Sequence, residues 1–145
     1  LVAGVPVGAA IPAAPRGGAE PPAEMGSIII VIATDAPLLP HQLKRLARRA
    51  SLGLARTGAT SGNGSGDIFI AFSTANAGAA SAPVAQVQMV SNDRMTAIFN
   101  ATVQATEEAI INALVAAQTM QGVDGRTIEA LPHDRLRAVM KQYGR

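Results

Sequence analysis

The chain has 145 residues, enough for one ordinary domain or part of a larger one, with 48% hydrophobic and 3% aromatic residues. Its core must therefore be built from Ala, Val, Ile and Leu. Twelve basic and ten acidic residues leave a formal charge of +2. That slim excess, without stacking aromatics, excludes a nucleic-acid footprint. The absence of cysteine excludes disulfides, thiolate metal sites and a cysteine nucleophile. The longest apolar run, Ile28 to Ala33, falls short of the roughly 20 residues that cross a bilayer, so no membrane partner is expected. The sequence opens Leu-Val-Ala-Gly without a basic leader. No signal peptide is expected, a start within a longer protein is, and the localisation is not legible.

In chain order, Leu1 to Gly8 reads as a short apolar strand ending in a turn. Ala9 to Met25 is rich in Ala, Pro and Gly, with Pro12, Pro15, Pro21 and Pro22 breaking any hydrophobic period. That is linker chemistry, accessible to cleavage. Ser27 to Thr34 is a β-branched run suited to a strand buried on both faces. Asp35 to Pro40 turns the chain, and Pro40 suits a first helical position. A helix is expected over about 41–57, with Leu43, Leu46, Ala47, Ala50 and Leu54 on its core stripe. The basic run Lys44 to Arg49 reads as a solvated helix face.

A glycine-rich loop, Gly58 to Gly66, leads into a strand over Asp67 to Phe72. Thr74 to Pro83 reads as a loop of small residues and Val84 to Val90 as a further strand. The longest helix is expected over 95–120, with Phe99, Val103, Thr106, Ile110, Leu114 and Ala117 at helical spacing. Asp124-Gly125 turns the chain into a last helix over 133–143. There are no internal repeats. Strands alternating with helices indicate an α/β layered fold.

Chemical candidates are few. His41 and His133 each follow a proline at a helix start, without a second ligand at metal spacing, and read as surface or capping residues. There is no Gly-x-Ser-x-Gly elbow; neither a metal nor any other cofactor is expected. Gly62-Asn63-Gly64-Ser65-Gly66-Asp67 lacks the Lys-Ser/Thr of a phosphate loop and leads into a strand. It reads either as a structural turn or as a loop that lets backbone and small side chains approach a substrate. Ser65 and Asp67, two apart, would project to one side of an extended stretch. Gly26-Ser27 joins a proline-rich linker to a buried strand, a junction suited to self-cleavage that exposes an N-terminal serine. Glycine offers an unhindered carbonyl, and the freed α-amine, with a pKa of about 7.7–8.0, can act as the nucleophile's own base.

The stretch Gly26-Ser27-Ile28-Ile29-Ile30-Val31-Ile32-Ala33-Thr34-Asp35-Ala36-Pro37-Leu38-Leu39-Pro40, continuing through Ala50, resembles the L-aminopeptidase / D-esterase-amidase family, which includes the β-peptidyl aminopeptidases. The likeness runs on through Gly53 to Gly58 and Ser61 to Asp67 to about Ser73. Leu1 to Gly8 is similar to the family's segment before its cleavage linker. The resemblance implies an αββα sandwich related to ornithine acetyltransferases and laid out like N-terminal-nucleophile hydrolases. It implies a precursor that cuts itself at Gly26-Ser27 into two associated chains, with 1–8 the end of the first, 9–26 the linker and 27–145 the second.

Ser27 is then the nucleophile, Ser65 and Asp67 its assistants, and Gly62, Asn63 and Gly64 part of the substrate loop. Some members carry glutamate at the acidic position, one methylene longer than Asp67. The expected activity is that of a serine aminopeptidase or amidase acting on short peptides, amides or esters, in assemblies of several copies. Two rivals follow: acyl transfer of the ornithine acetyltransferase type, against which Ser27 counts because those enzymes cleave before threonine, and a non-catalytic module kept for assembly. The family's oxyanion asparagine belongs to the first chain and lies outside this sequence. A lost oxyanion donor costs roughly 10²–10³ in rate, so this polypeptide alone is expected to be inactive and poorly folded.

Overall fold

The structure is a computed structural model that describes residues 1–12 and 26–145. Its centre is a βαβ unit. Strand β1 (Ile29–Thr34) is followed by helix α2 (Pro40–Arg56) and strand β2 (Ile68–Ser73). The strands pair in parallel, Ile29 opposite Ile68 through Thr34 opposite Ser73. Parallel neighbours need a crossover of this length, because a tight turn would reverse the chain. Pro40 opens α2 as expected. The side chain of Gln42 accepts the Leu39 N–H at 3.1 Å and donates to the Val90 carbonyl at 2.8 Å and to Asn92 Oδ1 at 3.2 Å. Gln42 is fully buried, and these bonds are what make its burial tolerable. They also tie the start of α2 to the segment that leads into α3 (Met95–Ala116).

Helices α2 and α3 pack against each other, and α2 lies on the sheet. Leu38, Leu46, Met95 and Phe99 form the buried cluster, with Ile32 of β1 and Ala71 of β2 against it. At Gly53 the two helices come so close that a Cβ would stand 2.6 Å from both Thr106 Cβ and the Val103 carbonyl oxygen. Arg56 and Glu107 close the far end of this interface with an ion pair at 2.7 Å. The basic run divides. Arg45 and Arg49 lie over the ring of Phe99, 5.1 and 4.2 Å from its centroid, while Lys44 and Arg48 are exposed. Two of the four cations thus cover core.

Several expectations need correction. Leu1 to Gly8 is not a strand. Val2 and Val5 exchange backbone bonds across a turn with Ala3 at φ 47° and Gly4 at φ 80°, and helix α1 (Val7–Ala10) follows Pro6. The linker region 13–25 lies outside the described residues, and Ala9 and Ala10 close the α1 turn. Among the described residues, strand β1 is covered on one face only. Ile29, Val31, Ile68, Ile70 and Phe72 share the other face and are 45–67% exposed, because all the helical packing falls on the side of Ile32 and Ala71.

Val84 to Val90 is irregular. Asn76 takes both backbone groups of Gln88 through its side chain, and the Val90 N–H goes to the Pro37 carbonyl. Helix α3 ends at Ala116, since Ala117 is already extended. Strands β3 (Met120–Gln121) and β4 (Thr127–Ile128) then pair as an antiparallel hairpin. Leu114 and Ala117, expected in the core, are exposed. Helix α4 (His133–Gln142) has no buried residue. Among the described residues no helix is long and apolar enough to cross a membrane.

The Gly53 contact leads to a stability prediction. Gly53→Ala should destabilise the protein by about 1–3 kcal/mol through overpacking, even though alanine gains about 1 kcal/mol in helix propensity. Urea unfolding of the assembled protein measures this, and a stabilised variant would contradict the close packing.

Candidate active site

The parallel register brings two chain segments to the same end of the sheet. Gly26 to Ile28 lead into β1, and Gly58 to Asp67 lead into β2. Between them lies an open cleft of about 380 Å³, lined by Ser27, Leu54, Gly58, Ser61, Ser65 and Asp67 among others. Its walls are mainly small side chains and backbone. The glycine-rich loop earns its composition here, since glycines let the main chain approach Ser27.

Ser27 stands at the mouth of the cleft, exposed, with its Oγ accepting the Gly66 N–H at 2.9 Å. A Cβ on Gly66 would lie 3.1 Å from that oxygen, so the donor can come this near because residue 66 has no side chain. A backbone N–H aimed at the hydroxyl oxygen favours negative charge developing there. Gly26 is exposed, with open space around its α-carbon. Its carbonyl carbon belongs to the peptide bond that joins it to Ser27.

Asp67 is held at both oxygens. Oδ1 accepts the N–H of Ile28 at 3.1 Å and Oδ2 accepts the hydroxyl of Ser61 at 2.7 Å. The hydroxyls of Ser65 and Ser61 hold its carboxyl below the ordinary range; burial opposes them, and the Ile28 N–H adds a lesser lowering. Of the two hydroxyls, Ser61 makes the hydrogen bond of full geometry, and Ser65 acts by proximity. The Ser65 N–H itself closes the turn onto the Gly62 carbonyl at 2.9 Å.

Ser27, Ser65 and Asp67 therefore meet in one cleft, and Gly26 and Gly62 line it with them. Asn63 and Gly64 form the exposed tip of the turn and do not line the cleft. Sequence reasoning did not single out Ser61 or the N–H of Gly66. A serine six residues before Asp67 in a glycine-rich loop was the available signal for the first. The second is a backbone group, which no residue type announces. His41 is exposed, and His133 Nε2 lies 2.9 Å from the Val115 carbonyl near the end of α3. Neither lines the cleft. Among the described residues no group of three or more His, Asp or Glu side chains could hold a metal ion.

Solved structures supply the class of this fold, that of the N-terminal-nucleophile hydrolases. Over 99% of its length the chain matches 39% of the L-aminopeptidase D-Ala-esterase/amidase from Ochrobactrum anthropi, a prototype of the serine aminopeptidases and a variant of that fold. The TM-score is 0.81 and the identity 49%. A β-aminopeptidase from a Burkholderia species matches over 79% of the chain and 35% of its own, with TM-score 0.68 and 46% identity. Residues 1–128 match the model of peptidase family S58, and the chain belongs to that family. It is 61% identical over 122 residues to the β-peptidyl aminopeptidase BapA of Sphingosinicella microcystinivorans and 46% identical over 123 residues to that of Sphingosinicella xenopeptidilytica. Each alignment covers 83% of this chain and 31% of the relative, so the chain spans about a third of the length of these curated relatives.

The bonds to Asp67 set its titration. Carbon-13 titration of the side chain should show its inflection below that of an unstructured aspartate. Because the folded value is lowered, its contribution to stability is present at neutral pH and is lost as the pH falls through that value. An inflection at or above the unstructured value would contradict the bonding described.

Proposed function

We propose that the chain carries the nucleophile of a self-cleaving serine aminopeptidase or amidase, with Ser27 as the attacking residue. The observation that carries this is the Ser27 hydroxyl in an open cleft, 2.9 Å from a backbone donor, beside a carboxylate bonded to the next peptide unit. In the precursor, Ser27 Oγ attacks the Gly26 carbonyl carbon. The peptide bond breaks as its nitrogen takes the proton, and an ester links Gly26 to Ser27. Water hydrolyses that ester, leaving a carboxylate on Gly26 and a free α-amine on Ser27. In this reading 1–8 ends the first chain, 9–26 is the linker and 27–145 is the second chain.

The same hydroxyl then attacks a short substrate. The Ser27 α-amine removes its proton as the bond to the carbonyl forms, and returns it to the departing amine or alcohol. The acyl group remains on Ser27 until water displaces it. An ionised Asp67 beside the α-amine favours its protonated form, which helps it keep the proton during attack. Ser65 supplies a hydroxyl to the same network. A cleft walled by Gly58, Ala59 and Gly62 suits short acyl groups with a free amino end, including L-, D- and β-amino acid residues.

The uncovered apolar sheet face supports a partner that contributes the rest of the αββα sandwich: the first-chain portion of the same protein, which would also bring the oxyanion asparagine. Several such pairs would assemble. The similarity to the β-peptidyl aminopeptidases and to the L-aminopeptidase D-Ala-esterase/amidase favours hydrolysis over acyl transfer.

Intact mass of the complete protein should show a break after Gly26. Ser27→Ala should abolish that break and lower hydrolysis of an aminoacyl p-nitroanilide by at least about 10³-fold. Unchanged hydrolysis in Ser27→Ala would end this reading. Gly66→Ala makes a finer test. Its Cβ would push the Ser27 oxygen by a few tenths of an ångström, and kcat should fall by roughly ten-fold.

A further inference from the structure

The glycine-rich loop has a left-handed backbone at two points, and they are filled differently. Gly58 takes φ 109°, where glycine is the ordinary choice, but at φ 47° the chain places Ser61. A serine in that region carries a conformational cost that glycine would avoid. Its side chain makes one hydrogen bond, from Oγ to Asp67 Oδ2 at 2.7 Å. The other oxygen of that carboxylate accepts the N–H of Ile28 at 3.1 Å, in the peptide unit immediately after Ser27. The carboxylate is thus gripped from two sides, by the loop and by the backbone that carries the nucleophile. With both oxygens engaged, rotation of the carboxyl group is restricted.

We propose that Ser61 is a positioning residue, whose hydroxyl orients the Asp67 carboxylate against the backbone that carries Ser27. This rests on the reading of Ser27 as nucleophile. Removing the hydroxyl would take from Oδ2 the one donor that meets it at full hydrogen-bond geometry, and would leave the nearby Ser65 hydroxyl and the Ile28 N–H to hold the carboxylate. The bond has an electrostatic consequence too. A donor to the carboxylate favours the ionised form, so losing it raises the pH at which Asp67 takes up a proton. Among the described residues Asp67 is the one titratable side chain lining the cleft, and no charged side chain among them contributes to its shift. Arg56, at the end of α2, is engaged by Glu107. The α-amine that cleavage frees at Ser27 is the other titrating group.

The test uses the complete protein and two variants. Ser61→Gly deletes the hydroxyl while supplying the residue that best tolerates φ 47°, so the backbone is relieved and not strained. Ser61→Asn restores a donor on a residue that also enters the left-handed region. For Ser61→Gly, kcat/KM should fall by about ten-fold, the scale of one hydrogen bond to a charged group. The carbon-13 inflection of Asp67 should move to higher pH. Ser61→Asn should recover part of both. If Ser61→Gly keeps the wild-type kcat/KM and the wild-type Asp67 inflection while Ser27→Ala is inactive, the proposal is wrong and the nucleophile reading stands. A loss of activity that tracks a lowered melting temperature, with the Asp67 inflection unmoved, would equally overturn it. An active Ser27→Ala would remove both.

Discussion

Six residue pairs, from Ile29 against Ile68 to Thr34 against Ser73, hold two parallel strands in one register, and that register decides where Ser27 lies. Each strand residue advances about 3.3 Å. A slip by one position would carry the Ile28 N–H away from Asp67 and the Gly66 N–H away from Ser27. It would also turn every side chain of the slipped strand to the opposite face, exposing Ile32 or Ala71 and burying their neighbours. Hydrophobic packing under the sheet and hydrogen bonds at its end therefore enforce the same alignment. The polar groups of the site are placed by packing that lies largely beneath the sheet, with Leu54 of α2 reaching the cleft itself.

That core in turn depends on close approach. With few aromatic side chains, α2 and α3 gain contact by coming near each other, and Gly53 against Thr106 marks the closest point. Phe99 is the large exception, and it is roofed by Arg45 and Arg49. Gln42 joins the two ends of this arrangement, because its amide spans Leu39, Val90 and Asn92. A single buried side chain thus sets where α2 begins and where the chain enters α3.

The far end of the chain is built differently. Beyond Thr106 little of α3 is buried, the β3–β4 hairpin is short, and α4 lies on the surface. Together with the open sheet face, this describes a chain whose packing is concentrated in one layer. The reading of a larger αββα sandwich explains both features at once. A helix–sheet layer is sufficient to position Ser27 and the glycine-rich loop, while Ile29, Val31, Ile68, Ile70 and Phe72 stay exposed on the opposite face.

The sequence by itself determined the elements whose signals are local. The β-branched run became β1, Pro40 became the first residue of a helix, and the stripe from Leu46 to Leu54 became its buried side. The long match around Gly26 to Asp67 also named the family. Other features depended on partners distant in the chain, and these only the tertiary structure decided. Leu1 to Gly8 is apolar like a short strand, but Ala3 and Gly4 fold it back on itself. Val84 to Val90 has strand composition, yet Asn76 and Pro37 take its backbone groups. Ser61 shows the same division most clearly. Its residue type is ordinary for a loop, and its grip on Asp67 exists because a left-handed turn brings residues 61 and 67 together beside Ile28, which lies 39 residues before Asp67 and just ahead of β1.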